Sequence, residues 1–407
     1  MTRDIVCFSH LRWDFVYQRP NHLMARAASS RRVFYVEEPV LEDATEAPSK
    51  HARLDVRIAA GVRVVTPILP AGTDPADVTA MLEALLDDLL AREHIERPVL
   101  WYYTPMALSW TRHVAASARV YDCMDFLAGF RGAPAGLLAL EEELVHHADV
   151  VFTGGARLHE RMADRHGRAY CFPSSVDSPH FRAARKGMAE PGRMAGLRRP
   201  RIGYAGVIDE RVDLELVAGV ALARPDWQIV LVGPHAKISP DAIPTAPNVH
   251  VTGLVDYADL PAYLGSWDIG WMPFAHNEAT RYISPTKTPE YLAAGLRVIS
   301  TSIRDVVEPY GRRGLVEIAD DVSATIAAAE RLLAEDHTAH LARADAFLAT
   351  MSWDRTWAGM EAILAQVDRR VRPEVLVDAG LPRRVDRRPA ARHVAERTAT
   401  APAGETA

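Results

Sequence analysis

Short apolar runs alternate with longer amphipathic segments along most of the chain. In the first half the apolar runs predict strands at residues 5–8, 33–36, 62–66, 99–103, 118–121, 150–153 and 169–172. Amphipathic helices are predicted between them, notably over residues 75–91 and 136–147. Continuous apolar strands that alternate with amphipathic helices indicate a parallel sheet covered on both faces.

A second series of the same kind follows a change in composition. Residues 181–199 are basic, contain Gly and Pro and predict no strand, so we interpret them as an interdomain linker. Beyond them, strands are predicted at residues 201–204, 228–232, 249–252, 269–272, 297–301 and 314–318, and a last amphipathic helix at residues 353–367. The predicted organisation is a first domain (1–180), the linker, a second domain (200–350), a C-terminal helix (351–369) and a disordered tail (370–407).

Composition narrows the class of protein. The 407 residues carry a formal net charge of −6, which argues against a general nucleic-acid binder because such proteins need a basic face. Three distant cysteines form neither a disulfide framework nor a metal-ligand spacing. No apolar run is long enough to span a membrane, and no leader precedes the first strand, so a cytoplasmic protein is expected. Two interpretations of the basic tail stay open. It contacts the inner face of the membrane, or it is a solvated tail without a specific partner.

The segment 277–301 carries the clearest chemical signal. Its polar and Pro-rich start leads into a short helix that ends at Gly295, with Ser284–Pro285 or Thr288–Pro289 as candidate N-cap and first helical residue. A helix N-terminus beside Lys287 suits a diphosphate, and the carboxylate of Glu290 suits a ribose diol. The alternative is a capped surface helix in which Glu290 only favours the helix dipole.

This segment resembles the donor site of the retaining GT-B glycosyltransferases of group 1 (family 4). The run Glu290-Tyr-Leu-Ala-Ala-Gly295 matches the family's helix and turn, and a subgroup with Ser-Pro-x-Lys-x-x-Glu-Tyr is closer still. The resemblance implies that Glu290 binds the ribose hydroxyls and that Ser284, Thr286 and Lys287 line the pyrophosphate. Tyr282 stands where the family has a glutamate that meets the transferred sugar, and Glu278 or Asn277 is the candidate replacement.

Further stretches match the same family in the expected order. Residues 201–214 resemble its glycine loop, with Gly206 in place, Arg211 near the position of one diphosphate-binding cation and Val207 instead of the other. Lys287 is the candidate second cation.

The next strand and loop units place Gly233 and Gly253 at the donor. Tyr257 is expected to stack on the nucleobase or, alternatively, to pack under the following helix. Residues 172–181 are similar to the stretch that closes the family's first domain.

The first half holds the candidate acceptor site. Charged and aromatic residues crowd the loop after the first strand, and we predict acceptor contacts from His10, Arg12, Trp13, Arg19 and His22. The alternative is that Trp13 is a core residue and that Arg19 is a structural ion-pair partner. Asp122 and Asp125 follow a strand at the edge where ligands bind in such folds, so we predict that one of them contacts a sugar. A buried structural Asp is the alternative there.

Together these matches imply an α/β protein of the GT-B type, with two doubly wound Rossmann-like domains that face a cleft and a C-terminal helix that crosses back. The implied activity is transfer of a sugar from a nucleotide-diphosphate sugar to an acceptor, with retention of configuration. Asp122, Asp125, Arg211 and Lys287 are the candidate catalytic residues, and neither a cofactor nor a metal ion is expected. A GT-B epimerase and a non-catalytic nucleotide-sugar-binding protein are the alternatives. An NAD-binding Rossmann enzyme is disfavoured because the loop after the first strand lacks glycine.

Overall fold

The structure, a computed structural model, describes residues 3–42 and 51–371. The predicted disordered tail lies outside these residues, apart from its first two positions. The described strands are β1 Ile5–Ser9, β2 Val33–Glu37, β3 Val40–Leu41, β4 Arg53–Ala59, β5 Val62–Leu69, β6 Val99–Tyr102, β7 Ala118–Cys123, β8 Val150–Thr153, β9 Ala169–Cys171, β10 Arg201–Ala205, β11 Gln228–Val232, β12 Val249–Gly253, β13 Ile269–Met272, β14 Arg297–Ser300 and β15 Glu317–Ile318.

Helices follow most of the strands, although β2, β3, β4 and β5 succeed one another without a helix among the described residues. They are α1 Arg19–Ala27, α2 Pro75–Arg92, α3 Leu137–His147, α4 Ala156–Ala163, α5 Ser178–Arg182, α6 Leu214–Ala223, α7 Leu260–Gly265, α8 Lys287–Ala294, α9 Arg304–Val307, α10 Val322–Ala334, α11 Thr338–Leu348 and α12 Trp353–Val371. Several begin at a side chain that accepts a backbone N–H, such as Asp74 before α2 and Asp213 before α6.

The strands form two separate sheets, one in each half of the chain. The first has the order β3-β5-β2-β1-β6-β7-β8-β9 and is parallel except for β4, which pairs antiparallel with β5. The second is parallel throughout, with the order β12-β11-β10-β13-β14-β15. The strand order reverses at β1 in the first sheet and at β10 in the second, and ligands of doubly wound folds bind at the carboxyl ends of strands at such reversals. This topology confirms the predicted class of two doubly wound domains.

The C-terminal helix belongs to the core of the first domain. Trp353, Trp357, Met360 and Leu364 of α12 pack with Trp101 and other buried residues of the first sheet. The chain therefore leaves the second domain after α11 and returns to the first, which confirms the predicted crossing helix.

Two parts of the fold differ from the sequence-based expectations. The strands β3 and β4 were not predicted, because β3 has only two residues and β4 alternates polar and apolar residues without a continuous apolar run. The segment 181–199, interpreted as a linker, packs on the second domain, since Phe181, Ala184 and Met194 are buried in the core of that domain. Within the described residues, no helix is long and apolar enough to cross a membrane.

The burial of α12 generates a stability prediction. Met360 is fully buried, so Met360→Ala removes apolar contacts and leaves a cavity, and we expect a loss of about 2–5 kcal/mol in the free energy of unfolding. Urea denaturation followed by circular dichroism measures this loss. Gln366→Ala, an exposed position of the same helix, is the matched control and should change stability by less than about 0.5 kcal/mol. Equal stability of the two variants would contradict the packing of α12 on the first sheet.

Candidate functional site

Two adjoining pockets occupy the cleft between the two domains. The first pocket has about 1050 Å³ of empty volume and is lined mainly by the loops after β10, β11 and β12 and by residues 283–287. The second pocket, of about 1250 Å³, is lined by the loop after β1, by residues 125–137 and by the loop after β11. Gln18, Asp125, Val207 and Arg211 line both pockets. A group bound in one pocket would therefore meet a group bound in the other beside Arg211 and Asp125.

Glycines shape the wall of the first pocket at the carboxyl edge of the second sheet. A Cβ at Gly233, whose φ is +140°, would lie 2.0 Å from the carbonyl oxygen of Gly206, so the two loops approach closely only because position 233 has no side chain. Both glycines line the first pocket. The predicted donor residue Gly253 adopts φ +74° and bonds to Gly233, while the next residues, Leu254 and Val255, form the pocket wall.

The start of α8 faces the first pocket. Thr286 is the N-cap, so neither of the two predicted caps is the one observed, whereas the predicted C-terminal residue Gly295 adopts φ +85° and is confirmed. Residues 283–287, including the predicted Ser284, Thr286 and Lys287, line the pocket. The positive end of the helix dipole is thus directed at this cavity.

Lys287 and Glu290 form an ion pair at this helix start. The Lys287 ammonium donates to Glu290 Oε2 over 2.7 Å. Burial raises the pKa of Glu290, and the charge of Lys287 opposes this rise. Lys287 lines the pocket, and the 5% exposed Glu290 lies behind it. A ribose hydroxyl could thus contact only the part of the Glu290 carboxylate that the Lys287 ammonium does not cover.

Arg211 lies at the junction of the two pockets, on the loop after β10. Its guanidinium donates to both oxygens of Asp209 over 2.7–3.1 Å and lies 5.3 Å from the ring centroid of Phe130 in the first domain. Burial lowers the pKa of Arg211, but the hydrogen bonds and charge of Asp209 outweigh it, so the net pKa rises. The group is a fixed cation at every physiological pH.

Of the two candidate aspartates, Asp125 lines the cleft and Asp122 does not. Burial raises the pKa of Asp125 to about 6, and the negative charge of Asp209 adds to this rise, while Arg211 and Arg19 oppose it. Asp122 is fully buried and accepts hydrogen bonds from Arg19 over 2.8–3.2 Å. The guanidinium of Arg19 also donates to the carbonyl oxygen of Phe172. Asp122 and Arg19 therefore form a structural pair. Asp122 lines neither pocket, so its predicted catalytic role is corrected, whereas Arg19 lines the first pocket and not the second, where its predicted acceptor contact would lie.

Three predicted aromatic contacts are also corrected. Trp13 is buried against Tyr35 in the first core. His22 stacks on Trp353 with ring centroids 4.6 Å apart, and burial lowers its pKa to about 3. The ring of Tyr257 stacks on His180 (4.2 Å) and on Tyr17 (4.5 Å) and does not line the first pocket, where a nucleobase would bind.

Glu278, the candidate replacement for the family's sugar-contacting glutamate, lines neither of the two cleft pockets. Its side chain is 68% exposed, pairs with Arg281, and lies in a separate third pocket bounded by residues 276–281 and 302–304. Asn277 donates to the carbonyl oxygen of Glu210 instead.

His10 and Arg12 lie in the second pocket, as the acceptor interpretation requires. Burial and the charge of Lys237 lower the pKa of His10 to about 4, so its imidazole is neutral. Arg12 is held by Glu37 and by the carbonyl oxygen of Glu38.

The sequence interpretation missed Phe130 and Lys237, which meet in the second pocket with the ammonium 5.3 Å from the ring centroid. Lys237 adopts φ +60°, an unusual value for a residue with a side chain. No motif in the sequence marks either residue. Among the described residues, no group of three His, Cys, Asp or Glu side chains is arranged to hold a metal ion.

The Arg19–Asp122 pair generates a prediction that separates a structural from a catalytic role. Asp122→Ala leaves a buried, unpaired guanidinium, and we expect a loss of about 3–5 kcal/mol in the free energy of unfolding, measured by urea denaturation. Asp354→Ala, which breaks the exposed pair with Arg26, is the control and should cost no more than about 1 kcal/mol. Wild-type stability of Asp122→Ala would contradict the structural role.

Known proteins resemble the chain in sequence over part of its length and in fold over most of it. Residues 199–336 match the family model of the group 1 glycosyl transferases. A putative teichuronic acid biosynthesis glycosyltransferase, TuaH of Bacillus subtilis (strain 168), is 27% identical over 239 residues, which span 54% of this chain and 60% of the relative.

Two solved structures illustrate the shared fold. Sucrose-phosphate synthase from Thermosynechococcus elongatus superimposes with a TM-score of 0.65 at 14% identity, over 90% of this chain and 99% of that one. HepE of Anabaena in complex with UDP and glucose superimposes with a TM-score of 0.64 at 13% identity, over 89% of this chain and 99% of that one. The chain therefore has the GT-B fold, and its second domain is similar to the group 1 glycosyl transferases.

Proposed function

We propose that this protein is a glycosyltransferase that binds a nucleotide-diphosphate sugar in the first pocket and an acceptor in the second. The observation that carries the proposal is the junction of the two pockets at Arg211 and Asp125, where a cation and a carboxylate face the same space. A transferred sugar would lie at this junction, between its leaving group and its acceptor. The similarity of residues 199–336 to glycosyl transferases supports the same assignment.

The leaving group determines most of the chemistry. When the bond between the sugar and the diphosphate breaks, negative charge grows on the diphosphate. Arg211, Lys287 and the N-terminus of α8 border the first pocket and would stabilise that charge. Since these groups are in place before the donor arrives, little reorganisation accompanies the reaction.

Two finer features of the proposal, retention of configuration and the contact of Glu290 with the ribose, rest on the sequence resemblance. Donor binding without a metal ion, and a cytoplasmic location with contact between the basic tail and the inner face of the membrane, rest on composition and residue spacing in the sequence. Uridine diphosphate is the first nucleotide to test, because HepE is described in complex with UDP. The relative TuaH is named for teichuronic acid biosynthesis, which makes a glycan the first acceptor class to test. No observation favours the epimerase or the non-catalytic binding protein.

Removal of a cation from the first pocket tests the donor site. Arg211→Ala and Lys287→Ala should each lose about 2–4 kcal/mol of transition-state stabilisation, read as kcat/KM for transfer or for slow donor hydrolysis. Excess chelator should leave the wild-type rate unchanged. Arg331→Ala, which removes a half-exposed arginine on α10 paired with Glu317, is the control for loss of one positive charge. Full activity of both pocket variants, or loss of turnover with chelator, would overturn the assignment of the diphosphate site.

Asp125 generates a prediction about pH. Its pKa of about 6 lies above the ordinary value of 3.8, so the carboxylate is ionised above about pH 6 and becomes protonated below it. If the ionised group accepts the proton or the hydrogen bond of the acceptor hydroxyl, kcat/KM for transfer is level above this pH and falls about tenfold per unit below it. Asp125→Asn should abolish this acid limb and lower the rate by roughly 10²–10⁴-fold. An acid limb that persists in the variant would assign the titration to another group.

A further inference from the structure

A buried carboxylate of the second domain accepts hydrogen bonds from the backbone of the first. Asp305, at the start of α9, is only 6% exposed. Its Oδ2 accepts from the amide of Ala156 over 2.8 Å, and its Oδ1 accepts from the amide of Arg157 over 3.3 Å. These two amides form the first turn of α4, so a negative charge from one domain lies at the positive helix end of the other.

Gly155 makes this approach sterically feasible. A Cβ at this position would lie 2.2 Å from Asp305 Oδ2 and 2.6 Å from Ser284 Cβ. Both distances are far below van der Waals contact, so any side chain at position 155 would push the second domain away. The absence of a side chain there is therefore a requirement of the interdomain contact.

Asp305 also reaches the first pocket. Its neighbour there is Ser284, whose hydroxyl helps to lower the pKa of the Asp305 carboxyl and which lines the first pocket three residues before α8 begins at Lys287. Burial raises the pKa of Asp305, and the backbone amides of Ala156 and Arg157 oppose that rise. One carboxylate thus lies beside the pocket loop 283–287 and is bound to the first domain.

We propose that Asp305 is a positioning residue that couples the pocket loop 283–287 to closure of the cleft. In the closed arrangement its carboxylate holds Ser284 and the first turn of α4 at the same time, so the loop is ordered for a diphosphate only while the domains are together. The effect on a donor rests on the function proposed above, whereas the effect on closure does not. Asp305 acts through Ser284 and the domain contact, and we assign it no chemical step.

An exposed ion pair crosses the same interface and offers a matched control. Arg304, the neighbour of Asp305, pairs with Glu160 of α4. Both side chains are nearly half exposed, at 48% and 47%, and exposed pairs contribute little to stability. Glu160→Gln therefore removes one negative charge from the interdomain interface without changing any contact of the pocket loop 283–287.

The experiment compares Asp305→Ala, Asp305→Asn, Gly155→Ala and Glu160→Gln by small-angle X-ray scattering and by calorimetric titration with uridine diphosphate. Without ligand, Asp305→Ala and Gly155→Ala should increase the radius of gyration, because the first loses the contact and the second blocks it. Both should weaken nucleotide binding on the order of tenfold, since two charge-assisted hydrogen bonds of the closed state are lost. Asp305→Asn keeps one acceptor oxygen and should give an intermediate effect, and Glu160→Gln should change binding by less than about twofold.

The steady-state readout distinguishes positioning from general destabilisation. The donor KM should rise more than the acceptor KM in Asp305→Ala, because Ser284 lines the first pocket and not the second, and Asp305→Asn should rescue part of the loss. Wild-type scattering and wild-type nucleotide affinity in both Asp305→Ala and Gly155→Ala would overturn the proposal. If the wild-type protein binds no nucleotide, the proposed function fails, and the ligand-free scattering still decides whether Asp305 holds the domains together.

Discussion

The buried ion pair between Arg19 and Asp122 determines the shape of one side of the cleft. Both charges are removed from water, and this is stable only when the geometry satisfies nearly all of their hydrogen bonds. Asp122 and the carbonyl oxygen of Phe172 supply those partners to the guanidinium. The pair thereby fixes three chain segments at the carboxyl edge of the first sheet. Asp125 and Ser174, which line the first pocket together with Arg19, lie two or three residues further along in two of these segments, so the position of the candidate chemical groups depends on this pair.

The cations on the other side of the cleft obey a similar constraint. Arg211 is paired with Asp209, and Lys287 with Glu290, and both carboxylates are nearly buried. Each pair directs a long, flexible side chain toward the first pocket before any ligand binds, which lowers the entropy that a ligand must overcome. The cost is partial neutralisation of each cation. The positive end of α8, whose backbone dipole is independent of these pairs, supplies attraction that the carboxylates do not cancel.

The sequence predicted those parts of the structure that depend on local pattern. Strands such as β11 and β13 were placed correctly because fully buried parallel strands are continuous apolar runs. The strand β4 was missed because it alternates polar and apolar residues without a continuous apolar run. The misassigned roles of His22 and Tyr257 have another cause: their ring partners, Trp353 and His180, lie far away in the chain. An aromatic residue in a loop has the same local sequence signature whether it awaits a ligand or packs against a distant element, and only the tertiary structure distinguishes the two.

Position 282 departs from the family pattern that the sequence resembles, and the structure places its side chain at the interdomain interface. The ring of Tyr282 contacts Phe126 edge-on at 5.1 Å and lies 6.0 Å from the guanidinium of Arg157, both in the first domain. Its contacts therefore serve the interdomain interface, and with Glu278 in the third pocket, Asp125 is the one carboxylate among the described residues that line the first pocket. In the proposed enzyme, a bound sugar would find its carboxylate partner on the first domain, while its diphosphate is held by the second. Recognition of the sugar would then require the closed cleft, the same state in which Asp305 positions the loop that would hold the diphosphate.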